Sequence, residues 1–324
     1  VRSMPENHPV NREKKQGILY VNLGTPSGTD VASVRRYLRE FLSDRRVIEL
    51  HPLLWQPILH GIILRFRPSK SAHAYEKIWF KEINESPLRY YTRQQAHGVQ
   101  QLIDPAQTHI IVDWAMRYGE PSIKSRLSHL MQQGCDHITV VPLYPQYSAT
   151  TTATVTDEVF GWAMKQRWQP TLTIASPCYD DPLYIDALAS RFKEHMSTLD
   201  WTPEVTLTSF HGLPQSYFDK GDPYYCHCHK TMRLLRERLG LKPDQMRLTF
   251  QSRFGPKKWL EPYTDTVLAD LVAQGFTKVA IVTPGFVSDC LETLEEIALR
   301  SKEVFLKAGG THFTLAPCLN DSPQ

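Results

Sequence analysis

The segment VTLTSFHGLP (residues 205–214) is an apolar, β-branched run that ends abruptly in polar residues. The segment VAIVTPGFVSDCLE (279–292) has the same form. In an open α/β sheet, ligands bind in the crevice beyond the carboxyl ends of the strands, which is where these polar residues are expected to lie. The first segment contains His211, and an imidazole can bind a metal or accept a proton near neutral pH. The second contains the carboxylate of Glu292. The pair predicts a reaction that moves protons and a divalent metal.

Composition is that of an ordinary globular protein. Of the 324 residues, 41% are hydrophobic and 22% are charged. The net charge of +3 is small and does not indicate the concentrated basic face typical of nucleic-acid-binding proteins, so we expect no nucleic-acid partner. Six cysteines without a regular framework are typical of a reducing compartment. Residues 1–16 have no apolar core, so we interpret them as a disordered lead-in and not a signal peptide, and expect a cytoplasmic protein.

The alternation of strand and helix patterns predicts the fold class. About eight β-branched runs are separated by helical patterns, which favours an α/β protein with mainly parallel sheets flanked by helices. The length exceeds that of an average domain, so we predict two Rossmann-like lobes, at residues 17–160 and 161–324. The GTP at 24–26 follows the first strand but lacks the G-x-G-x-x-G spacing, which argues against a nucleotide site.

The longest apolar stretch lies within residues 49–67, which we call the lip. Its sequence LLWQPILHGIILRF (53–66) is too short to span a bilayer and is interrupted by polar residues. This pattern is compatible with a buried helix, with a mobile cover over a site, and with an edge that touches the membrane surface.

The motifs of the chain resemble those of ferrochelatases, and most closely the form found in Gram-negative bacteria. The similarity runs in order from Gly17 to Asn320. The segments that carry it are VNLGTP (21–26), FLSDRRVIEL (41–50), PLYPQYS (142–148), SFHGLP (209–214), GDPY (221–224), FQSRFGPKKWLEPYTD (250–265) and PGFVSDCLETLEEI (284–297).

The resemblance implies a lyase that inserts Fe²⁺ into protoporphyrin IX, the last step of haem biosynthesis, with release of two protons. It implies a chelatase-like fold with the porphyrin cleft between the lobes. His211 matches the family's essential histidine, Glu292 its metal-site glutamate, and Asp289 the acid beside it. By the same match, further residues would line the cleft: Leu23, Tyr75, Arg117, Tyr118, Trp259 and Phe286.

Acidic residues around Glu292 suggest a path that leads away from the site. Positions 289, 292, 293 and 296 share one face of an α-helix, so Asp289, Glu292 and Glu296 could form a file that conducts protons or metal. The alternative is that Asp289 is the helix N-cap and Glu292 its capping-box partner. We expect Glu295 to face solvent.

Two further predictions concern the edges of the cleft. Arg67 and Lys70 follow the lip, and cations are suitable partners for porphyrin propionates, so we expect both to bind them. The sequence NESP (84–87) replaces the glycine-rich turn that the family commonly has. A turn there requires an unusual backbone, and Asn84 is the residue best able to adopt it.

The sequence CHCH (226–229) is a candidate metal site. Its C-x-C spacing is not that of common zinc sites, and a helix would direct Cys226 and Cys228 to different sides. Some ferrochelatases hold a [2Fe-2S] cluster on a C-terminal cysteine group, which is not found before Gln324, and Ala149 stands where one such form has cysteine. We therefore expect no cluster and no tightly bound cofactor, since Fe²⁺ is a substrate.

Rival functions remain open at this stage. One is a chelatase for coproporphyrin or another tetrapyrrole. Another is a non-catalytic haem or iron carrier, which would keep an axial histidine but would not need the acidic file. The division of labour between His211 and Glu292, the oligomeric state and peripheral membrane contact are also undecided.

Overall fold

Two four-stranded sheets form the framework of the protein. The computed structural model describes residues 14–323, and every strand pair in both sheets is parallel. The strand order is β2-β1-β3-β4 in the first sheet and β6-β5-β7-β8 in the second. The strands are Lys15–Gly24 (β1), Ile110–Tyr118 (β2), Cys135–Pro142 (β3), Thr171–Ile174 (β4), Val205–His211 (β5), Met246–Gln251 (β6), Lys278–Val282 (β7) and His312–Leu315 (β8). The predicted α/β class with two parallel sheets is confirmed.

Helices connect the strands and flank the sheets. The α-helices are Val31–Ser43 (α1), Pro52–Ile58 (α2), Leu64–Ile78 (α3), Pro87–Leu102 (α4), Ile123–Gln132 (α5), Thr152–Ala163 (α6), Pro182–Ser197 (α7), Gln215–Asp219 (α8), Tyr224–Leu239 (α9), Thr264–Ala273 (α10) and Lys302–Ala308 (α11). Two segments, Leu59–Ile63 and Glu292–Ser301, are π-helical. Several helices begin at a polar side chain that accepts a backbone N–H, as Asp30 does for α1 and Ser86 for α4.

Two predicted boundaries differ from the structure. Of the predicted lead-in at 1–16, residues 1–13 lie outside the described part of the chain. Lys15 and Gln16 belong to β1 and are therefore part of the first sheet. Strand β4 pairs with β3 and so completes the first sheet, although it comes after residue 160. The division of the chain at 160 stays a prediction, and the first sheet extends beyond it.

The inner strands β1, in the first sheet, and β5, in the second, are buried in the hydrophobic core. In β1, Leu19 and Val21 have no exposed surface, and all residues of β5 from Val205 to Phe210 are buried. A parallel strand covered on both faces is expected to be apolar along most of its length. The polar residues at the ends of these strands are thereby presented at the edge of a rigid sheet.

The lip is packed on one side and open on the other. Trp55 donates its indole N–H to the carbonyl of Leu42 at 2.7 Å, and Leu59 is fully buried. On the opposite side, Leu53 is 80% exposed and Phe66 is 69% exposed. The lip thus combines a buried helical face with an exposed apolar one. Within residues 14–323, no helix has the length and apolar character needed to cross a membrane.

Asn84 adopts the left-handed backbone that the turn requires. Its φ is +49°, and its side-chain oxygen accepts the indole N–H of Trp79 at 2.9 Å. The expectation from the NESP sequence is confirmed.

We expect Asn84→Ala to lower the free energy of unfolding by about 1–2 kcal/mol, because alanine meets the left-handed penalty without a polar side chain to offset it. Urea denaturation measures the change. The control is Lys81→Ala, an exposed position in the same turn, which should alter stability by less than about 0.5 kcal/mol. An equal loss in both variants would contradict the backbone argument.

Candidate active site

His211 is the last residue of β5, and its ring is held in one tautomer. Nδ1 lies 2.7 Å from the carbonyl oxygen of Gly212. A carbonyl only accepts, so Nδ1 carries the proton in the neutral ring and Nε2 keeps its lone pair. His211 is half-buried, so Nε2 is the atom that can bind a metal or take a proton.

Gly212 is required by its surroundings. A Cβ at this position would lie 2.8 Å from the carbonyl oxygen of Gln251 and 3.2 Å from the indole ring of Trp259. Trp259 also pairs with Pro214 in an isolated antiparallel bridge. The predicted cleft residue Trp259 thus packs directly beside the histidine segment.

Glu292 opens the π-helical segment and faces the first lobe. It lines a small cavity with Leu23, Tyr37 and Tyr75, so two of the predicted wall residues lie beside it. Burial raises the pKa of the Tyr37 and Tyr75 phenols well above the usual value, and the nearby Glu292 carboxylate adds to the rise. Both phenols therefore stay neutral. The backbone of Glu292 is held by Gln251, whose side-chain amide donates to the Glu292 carbonyl at 2.8 Å.

The π-helical geometry alters the predicted acidic file. Such a segment pairs residues five apart rather than four, so its side chains do not follow α-helical spacing. Glu295, expected to face solvent, is only 6% exposed and forms ion pairs with Arg300 at 2.8 Å and Lys77 at 3.9 Å. That expectation was wrong because it assumed an α-helix.

Asp289 lies before the helix and is bound on both oxygens. It is 5% exposed and accepts hydrogen bonds from the Thr293 hydroxyl at 2.9 Å and the Asn320 amide at 2.7 Å. Its backbone N–H donates to Asn320 in turn. No side chain caps the π-helical segment, so the capping-box alternative is wrong. Asp289 fastens the start of this segment to the C-terminal part of the chain.

Glu296 is the acid that remains close to the predicted pair. The Ser252 hydroxyl donates to its carboxylate at 2.6 Å, and Ser252 itself has a left-handed φ of +66°. Burial raises the pKa of Glu296 and the Glu292 charge adds to the rise, whereas Ser252, His211 and Arg300 oppose it. Glu296 therefore binds a proton more readily than an ordinary carboxyl group, within electrostatic reach of His211 and Glu292.

Two predicted wall residues are engaged inside the first lobe. Arg117 and Tyr118 both donate to the same oxygen of Asp44, at 2.6 and 2.8 Å. Tyr118 has no exposed surface and therefore does not line the cleft in this structure. The other Arg117 bond goes to the Thr154 carbonyl at 3.0 Å.

The remaining predicted residues lie in the turn after β7 and on α3. Phe286 is half-buried, in the turn after β7. The Arg67 guanidinium lies 5.1 Å from the ring centre of Phe254, which belongs to the loop after β6. Much of the Arg67 side chain is exposed, but the surrounding protein partly desolvates its guanidinium and so lowers its pKa. The negative charge of Glu292 acts in the opposite direction and raises that pKa. Lys70 is exposed.

Several residues at the site were given no role by the sequence-based predictions. Tyr37 lies on the buried face of α1, where an aromatic residue is indistinguishable from ordinary core. Gln251 is the last residue of β6 and Ser252 follows it within the FQSRFGP motif, whose position at the strand end was the available signal.

The CHCH sequence lies in the first turns of α9. Cys226 is exposed and Cys228 is buried, which confirms that they face different sides. The His227 ring stacks on Tyr179 with 3.6 Å between the ring centres. In the part of the chain that the structure describes, no three histidine, cysteine or acidic side chains converge in a way that could hold a metal.

Comparisons with known proteins agree with the motifs. A family model described as Ferrochelatase matches residues 15–324. The curated ferrochelatase of Rhizobium meliloti (strain 1021) is 58% identical over 317 residues, covering 98% of this chain and 93% of that protein. The ferrochelatase of Agrobacterium fabrum is 56% identical over 322 residues, covering 99% and 93%.

Solved structures with the same fold are chelatases of low sequence similarity. SirB from Bacillus subtilis with Fe³⁺ has a TM-score of 0.54 and 17% identity, over 95% of this chain and 90% of that one. The sirohydrochlorin chelatase SirB from Bacillus subtilis subspecies spizizenii in complex with cobalt has a TM-score of 0.51 and 14% identity, over 95% and 89%. At this identity the likeness concerns the fold alone.

We expect Asp289→Asn to lower the free energy of unfolding by about 1–3 kcal/mol, because an amide cannot accept both buried hydrogen bonds. Since its carboxylate is fully engaged within the protein, the KM for porphyrin should not change. Denaturation and steady-state kinetics test the two halves of this statement. Asp244→Asn, at an exposed loop position, is the matched control. A raised KM with unchanged stability would instead make Asp289 a substrate contact.

Proposed function

Because the chain belongs to the ferrochelatase family, we propose that His211 and Glu292 form the catalytic pair with which it metallates protoporphyrin IX. The chain is an enzyme of haem synthesis, a lyase whose substrates are a porphyrin and iron. The observation that carries the proposed pair is the His211 tautomer. Its Nδ1–H is bound by a carbonyl, so Nε2 is left as a base at the end of β5.

The reaction replaces two pyrrole protons with one Fe²⁺. A flat macrocycle hides its nitrogen lone pairs, so a cleft that binds a distorted ring better than a planar one lowers the barrier. The packed aromatic residue Trp259 and the wall residue Leu23 are suited to such contacts. His and Glu are acceptable ligands for ferrous iron while it sheds water.

We assign iron contact to Glu292 and, during delivery of the metal, to His211, and we assign proton acceptance to His211 once iron has left its Nε2 lone pair. His211 Nε2 then takes the two pyrrole protons one after the other, passing on the first before it takes the second, and the electron pair of each broken N–H bond goes to iron. Glu296, whose pKa is raised by burial, is the next acceptor and passes the proton outward. Asp289 has no place in this path, since both of its oxygens are engaged.

The expected result is loss of metallation by at least about 100-fold in His211→Ala and in Glu292→Gln, as for removal of a general base. Anaerobic Fe²⁺ and protoporphyrin IX are mixed with each variant, and absorbance follows haem formation. His97→Ala and Glu82→Gln, both exposed and remote in the structure, are matched controls. A wild type that binds porphyrin without metallating it is a carrier. Full turnover by His211→Ala would reject the proposed pair.

Protoporphyrin is favoured over coproporphyrin by the exposed apolar lip, since protoporphyrin has fewer carboxylates. Arg67, the last residue of the lip, and Lys70, just after it, are the proposed partners for the two propionates of protoporphyrin. The same assay with coproporphyrin distinguishes the two, because a higher kcat/KM for coproporphyrin would reverse the assignment. We further propose that the protein needs no resident cofactor. The test is the iron content of the purified active protein, which should be negligible before Fe²⁺ is added.

We also propose that the protein is cytoplasmic and touches the membrane surface through the lip. The exposed apolar side chains Leu53, Leu54 and Phe66 belong to the same lip as Arg65, whose guanidinium lies 5.9 Å from the ring centre of Phe66, and Lys70 follows the lip in the chain. Apolar side chains flanked by cations suit the boundary between acyl chains and anionic headgroups.

We expect the wild type to sediment with vesicles of anionic phospholipid, and Leu54→Ser with Phe66→Ser to reduce the bound fraction several-fold. Leu102→Ser is the matched control, since Leu102 is 79% exposed on α4, outside the lip. Equal binding by all variants, or a wild type that stays in the supernatant, would contradict membrane contact through the lip.

A further inference from the structure

A loop of the first sheet is bound to the start of a helix of the second. The loop covers residues 143–151, between β3 and α6, and is fastened by Asp222. One oxygen of Asp222 accepts the Ser148 hydroxyl at 2.9 Å and the Ala149 N–H at 2.8 Å. Its other oxygen accepts the N–H of Tyr224, the first residue of α9, at 3.0 Å. Asp222 therefore joins the loop to α9.

Tyr224 continues this connection to the proposed catalytic histidine. Its hydroxyl donates to the carbonyl of His211 at 3.0 Å. The ring is 8% exposed and packs in a cluster that contains Phe210 and Phe250. Burial raises the pKa of Tyr224 well above the usual value, so the hydroxyl stays a donor.

Gln146 of the same loop reaches the second catalytic segment. It is 2% exposed, and its amide donates to the Thr231 hydroxyl at 3.1 Å and to the carbonyl of Pro284 at 3.4 Å. Pro284 is where the chain leaves β7 toward Glu292. The hydroxyl of Tyr184 donates to the same carbonyl.

The two segments and the loop meet at Gly285. A Cβ there would lie 3.3 Å from the Phe210 ring, 3.6 Å from the Gln146 amide oxygen and 3.9 Å from the Tyr224 hydroxyl. The added group would be tight against the Phe210 ring and in ordinary van der Waals contact with the other two atoms, so the junction is closely packed. A shift of the loop would therefore be felt at the ends of both β5 and β7.

The CHCH sequence has its place in the same junction. His227 accepts the N–H of Tyr147 on Nδ1 at 3.1 Å and stacks on Tyr179. A histidine that accepts from a backbone amide and stacks on a neighbouring ring is occupied within the protein. The motif thus serves to seat the loop.

We propose that Tyr224 and Gln146 are positioning residues that set the placement of His211 and Glu292 relative to each other. The inference rests on the proposed function of that pair. Tyr224 holds the carbonyl of His211 at the end of β5, and Gln146 holds the carbonyl of Pro284 just after β7. Gln146 belongs to the loop 143–151, and Tyr224 is joined to the same loop through Asp222. Because a misplacement of about 1 Å can reduce a rate by about 100-fold, loosening either carbonyl should slow the chemistry itself.

The decisive variant is Tyr224→Phe, which removes a single oxygen. We expect kcat for metallation to fall about tenfold or more, while the dissociation constant for porphyrin, measured by fluorescence quenching, stays within about twofold. Gln146→Met removes one of the two bonds to the Pro284 carbonyl as well as the bond to Thr231, and it should give the same split through the other segment with a smaller fall in kcat, since Tyr184 still holds that carbonyl. Thermal unfolding of each variant reports its folded fraction.

The matched control is Tyr217→Phe. Its hydroxyl is also buried and donates to a backbone carbonyl, that of Val47 at 2.9 Å, but not at a strand end. Its kcat should be that of the wild type. If Tyr224→Phe and Gln146→Met lose only thermal stability and keep kcat while His211→Ala is inactive, the positioning role is wrong and the proposed function stands. If His211→Ala is active, the proposed function itself fails.

Discussion

The parallel pairing of β5 with β7 is the constraint on which the rest of the site depends. Thr208 lies opposite Val282 in this register, so both strands end at the same edge of the second sheet. Parallel neighbours are joined by long crossovers, and residues far apart in the chain are thereby brought together. Gly285, just after β7, consequently lies near Phe210, close to the end of β5, since a Cβ at Gly285 would be 3.3 Å from the Phe210 ring. Any chemistry built on His211 and the segment after β7 follows from this edge.

The pairing alone does not determine the position of Glu292. The chain runs on from Pro284, and this segment is held by buried polar side chains rather than by the sheet. Asp289 holds Asn320 and Thr293, and Gln251 holds the carbonyl of Glu292. A buried polar group that loses its partner is costly, so such contacts determine one conformation of the segment.

Local patterns predicted what depends on local geometry. The position of His211 followed from a β-branched run and the polar residues after it, and the left-handed Asn84 followed from the turn chemistry. Glu295 was misplaced because the π-helical register of its segment has no signature in hydrophobic spacing. Tyr118 was expected at the cleft wall, but its hydroxyl is directed to Asp44, a long-range contact that no short window contains. The sequence located the lip without revealing which of its faces is exposed.

The polar contacts beneath the site form a continuous series. From the carbonyl of Glu292, hydrogen bonds run through Gln251 and Ser209 to Thr264 and then Thr249, all of them buried. A buried network in which each member has a partner stiffens its surroundings. The proposed function, in which a flat ring is distorted, requires this stiffness beneath the proposed iron contact Glu292. The lip is built differently: Trp55 and Leu59 are buried in the core, whereas Leu53 and Phe66 form an exposed apolar face that the sheet does not hold.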